Sequence, residues 1–299
     1  MYRFLFWILA KIGKPVGGIP PRRRLHWLAR RAYGDTTPQK DEYRWHSDRC
    51  GNLLLLHPHY FIDYSIIAFG DFEPTLHRFI KRHVKPGMFC FDIGANIGSV
   101  SLHLARAVGH AGTVYCFEPI QYVFDRLMVH IRANELNDVI QPYRLALSNK
   151  TGTDQIWCMD NTHPNQGLAS LVLSEDPDLV QTCSVSVITL DEFVKSHNID
   201  RIDFMKVDIQ GSEPHLIEGG RETLARLQPS LCIEVSPTHL MAAGSNSRSL
   251  LLALEELGYA LFELNRDGRR GQRISHTTVP YDYYNTAIYA LPRRSQGGD

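Results

Sequence analysis

The stretch FCFDIGANIGSVSLHLA, residues 89–105, decides the fold. It begins as an apolar run typical of a buried strand and ends as an amphipathic helix, with a polar gap between them. Gly94 and Gly98 in that gap let the backbone approach a ligand without a Cβ in the way, and the amides that open the helix would point at it. We predict a strand at 89–93, a glycine loop at 92–98 and a helix at 99–108.

Short apolar runs alternate with amphipathic stretches along the rest of the chain, as in strand–helix units that wind a mainly parallel sheet. Further strands are predicted in TVYCFEP (113–119), VIQPYRLALS (139–148), IDFMKVDIQG (202–211) and PSLCIEVSP (229–237), and helices at 122–133 and over EPHLIEGGRETLARL (213–227). Pro142 would keep its strand at a sheet edge or bulge. The runs YALFELN (259–265) and NTAIYALP (285–292) would pair antiparallel. The pattern predicts an α/β fold with a Rossmann-like sheet, helices on both faces and an antiparallel strand near the C-terminal end.

Composition and charge narrow the classes of function. The 299 residues carry 32 lysines and arginines against 32 aspartates and glutamates, so the chain has no basic field of the kind that attracts nucleic acid. The six cysteines are scattered, with no CxxC pair and no zinc-ligand spacing. We expect no nucleic-acid partner, no zinc site and a reducing, cytoplasmic environment.

The first 34 residues are basic and apolar and carry no acid. Their apolar run FLFWILA is far shorter than the ~20 residues that span a bilayer, and no signal-peptide cleavage pattern follows it. One interpretation is a peripheral membrane contact through residues 1–34, with Phe4, Trp7 and Ile8 in the interface and the basic residues facing anionic lipid. The alternative, which we favour, is a helix packed on the main domain. We assign 1–34 as an extension and 35–299 as a single domain.

The glycine loop discriminates between nucleotide cofactors. The dinucleotide fingerprint GxGxxG needs a second glycine where this chain has Asn96. The spacing here is DxGxxxG, and a carboxylate at Asp92 would repel a pyrophosphate but suit an ammonium and a sulfonium. Glu118 ends the next predicted strand, where a Rossmann-type unit places the acid that binds ribose hydroxyls. The two acids favour S-adenosylmethionine over NAD, and helix capping by both acids is the structural alternative.

Several motifs together resemble one enzyme family. The runs DIGANIG (92–98), FEP (117–119), TLDEFV (189–194) and KVDIQGSEPHLIEGG (206–220), with YFIDYSIIAFGDFEP (60–74) ahead of them, are similar to the FkbM family of S-adenosylmethionine-dependent methyltransferases. The resemblance covers roughly residues 52–260. It implies a class I methyltransferase sheet and O-methylation of hydroxyls on sugars, glycolipids and other secondary metabolites. It also implies a cofactor site formed by Asp92, Gly94, Asn96, Gly98, Glu118 and, near the adenine, Ser148.

Methyl transfer to an alcohol requires the oxygen to be positioned and its proton removed. Asp208 and Glu234, at the ends of two predicted strands, are candidate bases, and His163 is a third. Alternatively, the two carboxylates would bind Mg²⁺ and lower the hydroxyl pKa. We favour direct base catalysis because no third metal ligand stands out. The chain departs from the family pattern at Gln210, where an acid is usual, so any role of that acid is in doubt.

The acceptor would be a small molecule or a glycan, contacted by a polar insertion at about 158–184. Tyrosines in YDYYN (281–285) could stack on a sugar ring or form a packed edge. Two other functions stay open. One is a non-catalytic binding module that keeps the methyltransferase fold, with Gln210 as the trace of lost chemistry. The other is a nucleotide-binding oxidoreductase, which the missing second glycine disfavours.

Overall fold

The computed structural model describes residues 42–158, 169–170 and 181–293. The extension at 1–34 and most of the polar insertion, including His163, lie outside the described residues. In the described part of the chain, no helix is both long enough and apolar enough to cross a bilayer.

The described strands and helices alternate as the sequence predicts. The strands are β1 (Arg44–Ser47), β2 (Leu53–Leu56), β3 (Phe89–Ile93), β4 (Thr113–Phe117), β5 (Ile140–Tyr143), β6 (Ala146–Ser148), β7 (Gly152–Cys158), β8 (Ala169–Ser170), β9 (Gln181–Thr189), β10 (Phe204–Val207), β11 (Ser230–Val235), β12 (Tyr259–Leu264), β13 (Arg270–Ile274) and β14 (Asn285–Pro292). The helices are α1 (Phe61–Phe69), α2 (Pro74–His83), α3 (Ser99–Val108), α4 (Gln121–Ala133), α5 (Leu190–Ser196), α6 (Glu213–Gly219), α7 (Arg221–Leu227), α8 (Pro237–Ala242) and α9 (Ser247–Glu256). The bounds predicted for β3 and α3 are confirmed at both ends.

The main sheet has eight strands within the described residues, in the order β13-β12-β14-β11-β10-β3-β4-β5. The five strands from β11 to β5 are parallel, and β14 lies antiparallel between β11 and β12. The predicted Rossmann-like α/β fold and its antiparallel strand are confirmed. Pro142 lies on β5 at the edge of the sheet, where its missing N–H leaves no neighbour unpaired.

The strand order places a ligand crevice at the centre of this sheet. From β3 the chain continues outward to β4 and β5 on one side, and it later returns to β10 on the other side of β3. Ligands of open α/β sheets bind at such a reversal, outside the carboxyl ends of the strands. The ends of β3 and β10 are therefore the place to look for the site.

A second sheet is formed by strands that follow β5 along the chain. In the described residues its order is β6-β9-β7-β8. The single strand predicted at 139–148 is divided, because β5 joins the main sheet whereas β6 pairs with β9. The polar insertion predicted at about 158–184 ends earlier than predicted, because β9 begins at Gln181.

The helix predicted at 213–227 is wrong in one respect, because two helices, α6 and α7, meet at Gly220. A Cβ on Gly219 would lie 2.1 Å from the carbonyl oxygen of Ser148, and one on Gly220 would lie 2.6 Å from Cδ2 of Leu190. Both glycines thus pack their backbone directly against neighbouring elements at the point where the helix breaks.

Buried apolar side chains form two clusters, one on each face of the main sheet. Along β3, Cys90 belongs to one cluster and Phe91 and Ile93 to the other, as the alternation of side chains along a strand requires. In the described part of the chain, apolar side chains are thus packed on both faces of the sheet.

Candidate active site

A cavity of about 670 Å³ opens at the carboxyl ends of the parallel strands. Its wall includes residues that follow β3, β4 and β10, the end of β11, the link between β5 and β6, and the start of α2. Cavities of this size accommodate ligands as large as a nucleoside cofactor.

The two glycines of the loop allow close packing. Gly94 and Gly98 have φ values of 78° and 91°, in the left-handed region. A Cβ on Gly94 would lie 2.0 Å from the carbonyl oxygen of Asp208, and one on Gly98 would lie 2.5 Å from Cδ1 of Leu127. Gly94 lines the cavity, whereas Gly98 fits the loop against α4.

Asp92 lies behind the loop. Its side chain is fully buried and forms no part of the cavity wall. One carboxylate oxygen accepts a hydrogen bond of 2.6 Å from Ser101 Oγ, and the other lies 3.4 Å from Nζ of Lys206. The carboxylate that the sequence assigns to a cofactor cation therefore faces a cation of the protein itself.

Glu118 joins the loop to the following helix and also faces the cavity. Its Oε2 accepts a 3.0 Å hydrogen bond from the backbone N–H of Asn96, and its Oε1 accepts one of 2.9 Å from the N–H of Ile120. Burial raises the pKa of Glu118 to about 7, although both backbone donors act to lower it. Each oxygen keeps a second lone pair, so the carboxylate can still accept hydrogen bonds from a ligand.

The link between β5 and β6 gives the cavity an apolar wall. Leu145, Ala146 and Leu147 line it, with Ile156 of β7 beside them. Ser148, assigned to the adenine by the resemblance, is buried and is not part of the wall. The flat apolar surface is supplied by its neighbours instead.

Two candidate bases meet on one side of the cavity. Asp208 directly follows β10, and Glu234 lies near the end of β11. The Nε2 group of Gln210 donates to both, at 2.6 Å to Asp208 Oδ1 and 3.2 Å to Glu234 Oε2. Burial, and next the charge of Asp208, raise the pKa of Glu234 to about 9. Glu234 therefore holds a proton at neutral pH, which leaves Asp208 as the candidate base.

The turn that carries Gln210 is held from several directions. Gln210 and Gly211 have φ values of 52° and 98°, and a Cβ on Gly211 would lie 2.5 Å from the carbonyl oxygen of His239. Glu213 accepts hydrogen bonds of 3.0 Å and 2.9 Å from the backbone N–H groups of Ile209 and Gly211. The glutamine is thus fixed over the two carboxyl groups.

Lys206 is a site residue that sequence reasoning missed. Its Nζ donates a 2.7 Å hydrogen bond to the carbonyl oxygen of Gly94 and lies beside Asp92, while its side chain lines the cavity. Burial alone would lower the pKa of Lys206, but nearby carboxylates raise it above its ordinary value. A signal was present, because Lys206 and Asp208 are two apart on a strand end and so share a face.

Two further parts of the wall come from outside the central motifs. Glu73 immediately precedes α2, and Tyr284 immediately precedes β14. Tyr283, by contrast, donates a 2.8 Å hydrogen bond to Glu263 and belongs to a packed edge. Glu73 lies in the 60–74 run that resembles the family, but nothing in that run marked it as a cavity residue.

Asp208 and Glu234 are also the candidate ligands of Mg²⁺. In the part of the chain that the structure describes, no group of three or more His, Cys, Asp or Glu side chains is arranged to hold a metal ion. The Mg²⁺ alternative gains no support from these residues.

A family comparison agrees with this geometry. Residues 92–261, which include the glycine loop, Glu118, Asp208 and Glu234, match the model of the methyltransferase FkbM domain. The chain belongs to the FkbM methyltransferase family. The FkbM domain is therefore that of an S-adenosylmethionine-dependent methyltransferase.

Individual relatives of this FkbM domain are distant. The chain is 28% identical over 174 residues to the 31-O-demethyl-FK506 methyltransferase FkbM of Streptomyces tacrolimicus, an alignment that covers 48% of this chain and 64% of that protein. It is 24% identical over 180 residues to the 2-O-methyltransferase NoeI of Sinorhizobium fredii, covering 53% and 70%. A solved structure of a methyltransferase FkbM from Methylobacillus flagellatus is 17% identical, with a TM-score of 0.42 over 76% of this chain and 52% of that one. The chain thus spans between half and about 70% of the length of these relatives.

The residues of the FkbM domain fit S-adenosylmethionine. The Glu118 carboxylate faces the cavity with acceptor capacity for ribose hydroxyls, and Leu145, Ala146 and Leu147 offer an apolar surface for the adenine. Asp208 and Glu73, two acids that also line the cavity, suit the positive charges of the sulfonium and the amino group. The cavity therefore has a suitable partner for each end of the cofactor.

Proposed function

We propose that this domain transfers the methyl group of S-adenosylmethionine to a hydroxyl of a sugar, a glycolipid or another small-molecule acceptor. The observation that carries the proposal is the pair of carboxyl groups, Asp208 and Glu234, joined by Gln210 in the wall of the cavity. The O-methyltransferase names of two relatives support a hydroxyl acceptor.

S-adenosylmethionine, when bound, supplies an electrophilic methyl group on a sulfonium. Asp208 then takes the proton of the acceptor hydroxyl as the oxygen becomes nucleophilic. Glu234 already carries a proton, so it does not compete for this one and instead orients its neighbours by hydrogen bonding. Gln210 holds both carboxyl groups in place from one amide nitrogen.

Gln210 supports an active site rather than lost chemistry. An acid at this position would add a third carboxyl group beside Asp208 and Glu234, which raises the cost of ionising any of them. The amide of Gln210 donates hydrogen bonds to both carboxyl groups, whereas a carboxylate at this position would repel them. Gln210 therefore suits a proton transfer to one carboxyl group beside a second that stays protonated.

The outer part of the cavity supports an acceptor with a ring. Phe61, Phe72 and Tyr284 line it, and Tyr284 is 58% exposed. Aromatic rings of this kind stack on the apolar faces of sugars and other cyclic alcohols.

The test is methyl transfer from labelled S-adenosylmethionine to a panel of free sugars, lipid-linked glycans and cyclic alcohols. Asp208→Asn should lower kcat by about 10²- to 10⁴-fold with cofactor affinity retained, because it removes only the base. Glu234→Gln should keep most of the activity, because its amide resembles the protonated acid. An unchanged rate in Asp208→Asn would contradict the assigned base. Cofactor binding without methylation of any acceptor would favour a binding module.

A further inference from the structure

The Glu73 side chain offers the cavity a carboxylate with no fixed protein partner. Glu73 is half-buried, lines the cavity, and makes no side-chain hydrogen bond or ion pair with any residue that the structure describes. Pro74 follows it as the first residue of α2. Helix α2 packs against α3, with the ring of His77 stacked on that of His103 at a centroid distance of 3.5 Å.

Two other acceptors near the loop, the carbonyl oxygen of Gly94 and the carboxylate of Asp92, already have Lys206 as a partner. Lys206 donates to the carbonyl oxygen of Gly94 at 2.7 Å and lies 3.4 Å from Asp92. The carboxylate of Asp92 is also outside the cavity wall. A ligand ammonium placed at the loop would therefore meet a protein ammonium, unless another acid balanced the charge.

The charged groups around Lys206 favour the binding of a further cation. Three carboxylates act on Lys206, those of Asp92, Asp208 and Glu73. One lysine therefore faces three acids at this end of the cavity. Burial raises the pKa of Glu73 to about 7, Lys206 opposes the rise, and Asp208 adds to it. A bound cation would favour the charged form of Glu73.

The position of Glu73 matches one part of the cofactor. Glu118, at the end of β4, and the apolar wall after β5 are the partners proposed for the ribose and adenine. The amino-acid portion would then extend toward β3 and β10, the two strands that carry Asp92 and Lys206. Glu73 lines the same cavity as Gly94, which follows β3, and Lys206 of β10, and it acts electrostatically on Lys206.

We propose that Glu73 binds the α-ammonium group of the amino-acid portion of S-adenosylmethionine. This assignment rests on the proposed function. The segment before the glycine loop would then take a direct part in cofactor recognition. Glu73, rather than Asp92 as the sequence predicts, would bind the ammonium group.

The experiment compares three ligands by calorimetric titration of the full chain. S-adenosylmethionine and S-adenosylhomocysteine carry the amino acid, whereas 5′-methylthioadenosine lacks it. Glu73→Gln should weaken binding of the first two about tenfold or more, the usual size of a lost charge-assisted hydrogen bond, and leave the third within twofold. Glu118→Gln should weaken all three, because each contains the ribose. Glu222→Gln, at an exposed position, is the control for a loss of charge.

Each outcome decides the assignment. Equal losses for all three ligands in Glu73→Gln, or no loss for any, would overturn it while leaving cofactor binding intact. Failure of the unmodified protein to bind any of the three would contradict the proposed function as well. Thermal melting of Glu73→Gln without ligand separates a binding defect from unfolding, and Glu73→Asp provides a second variant that keeps the charge.

Discussion

Nζ of Lys206 lies 3.4 Å from a carboxylate oxygen of Asp92, and the two residues face each other across the β3–β10 pair at the centre of the sheet. Both side chains are almost fully buried. The same ammonium holds the carbonyl oxygen of Gly94. One cation thus connects the first glycine of the loop to the strand that carries Asp208.

Removing this cation should destabilise the protein strongly. Lys206→Met leaves Asp92 buried without a counter-charge, which costs about 3–5 kcal/mol of the free energy of unfolding. The double variant Asp92→Asn, Lys206→Met should recover part of the loss, because neither charge remains. Denaturant titration measures both.

The exposed pair of Arg221 and Glu256, 3.7 Å apart, is the matched control. Arg221→Met should cost less than about 1 kcal/mol. Equal losses in Lys206→Met and Arg221→Met would contradict a structural role for the buried pair.

The sequence predicts the strands and helices around the site better than the side-chain contacts within it. The bounds of β3 and α3 follow from hydrophobic periodicity, and the position of Glu118 follows from the spacing of a Rossmann-type unit. The partner of Asp92 does not follow, because Lys206 and the loop are brought together only by the pairing of β10 with β3, across a separation of 112 residues from Gly94. Glu73 and Tyr284 reach the cavity through tertiary packing, which local patterns do not encode.

Gly94 should tolerate no side chain. Its φ is 78° and a Cβ would lie 2.0 Å from the carbonyl oxygen of Asp208, so Gly94→Ala must push β10 away from the loop. We expect a loss of several kcal/mol or failure to fold, measured by thermal melting.

Gly109 is the control for Gly94, because a side chain there would strain the backbone without any steric overlap. It also has a positive φ, of 61°, but a Cβ there would meet nothing within 4 Å. Gly109→Ala should cost only the strain of its φ 61°, ψ −170° backbone, a conformation that is almost restricted to glycine, on the order of 1–3 kcal/mol. Similar melting temperatures for the two variants would contradict the close packing at Gly94.

Glu234 should make stability depend on pH. In the folded protein burial and Asp208 raise its pKa to about 9, whereas the ordinary value is 4.5. The unfolded chain therefore ionises this group first, and wild type loses stability as pH rises from 4.5 to 9. Glu234→Gln removes that loss, so its melting temperature should gain on wild type between pH 5 and pH 9.

The difference between variant and wild type is the relevant measure, because burial also raises the pKa values of Glu73, Glu118 and Glu213. Those three residues are present in both proteins, so the difference isolates the loss of stability that depends on Glu234. A gap between the two melting temperatures that stays constant from pH 5 to pH 9 would show that Glu234 is charged in the fold at neutral pH.

Calorimetric titration with S-adenosylmethionine tests the central claim most directly, with Glu118→Ala as the variant and Asp125→Asn, an exposed acid on α4, as its control. We expect micromolar binding by the unmodified protein and by the control, and at least a tenfold loss in Glu118→Ala. Binding that is equally tight in Glu118→Ala would place the cofactor elsewhere, and no binding by the folded unmodified protein would contradict the account.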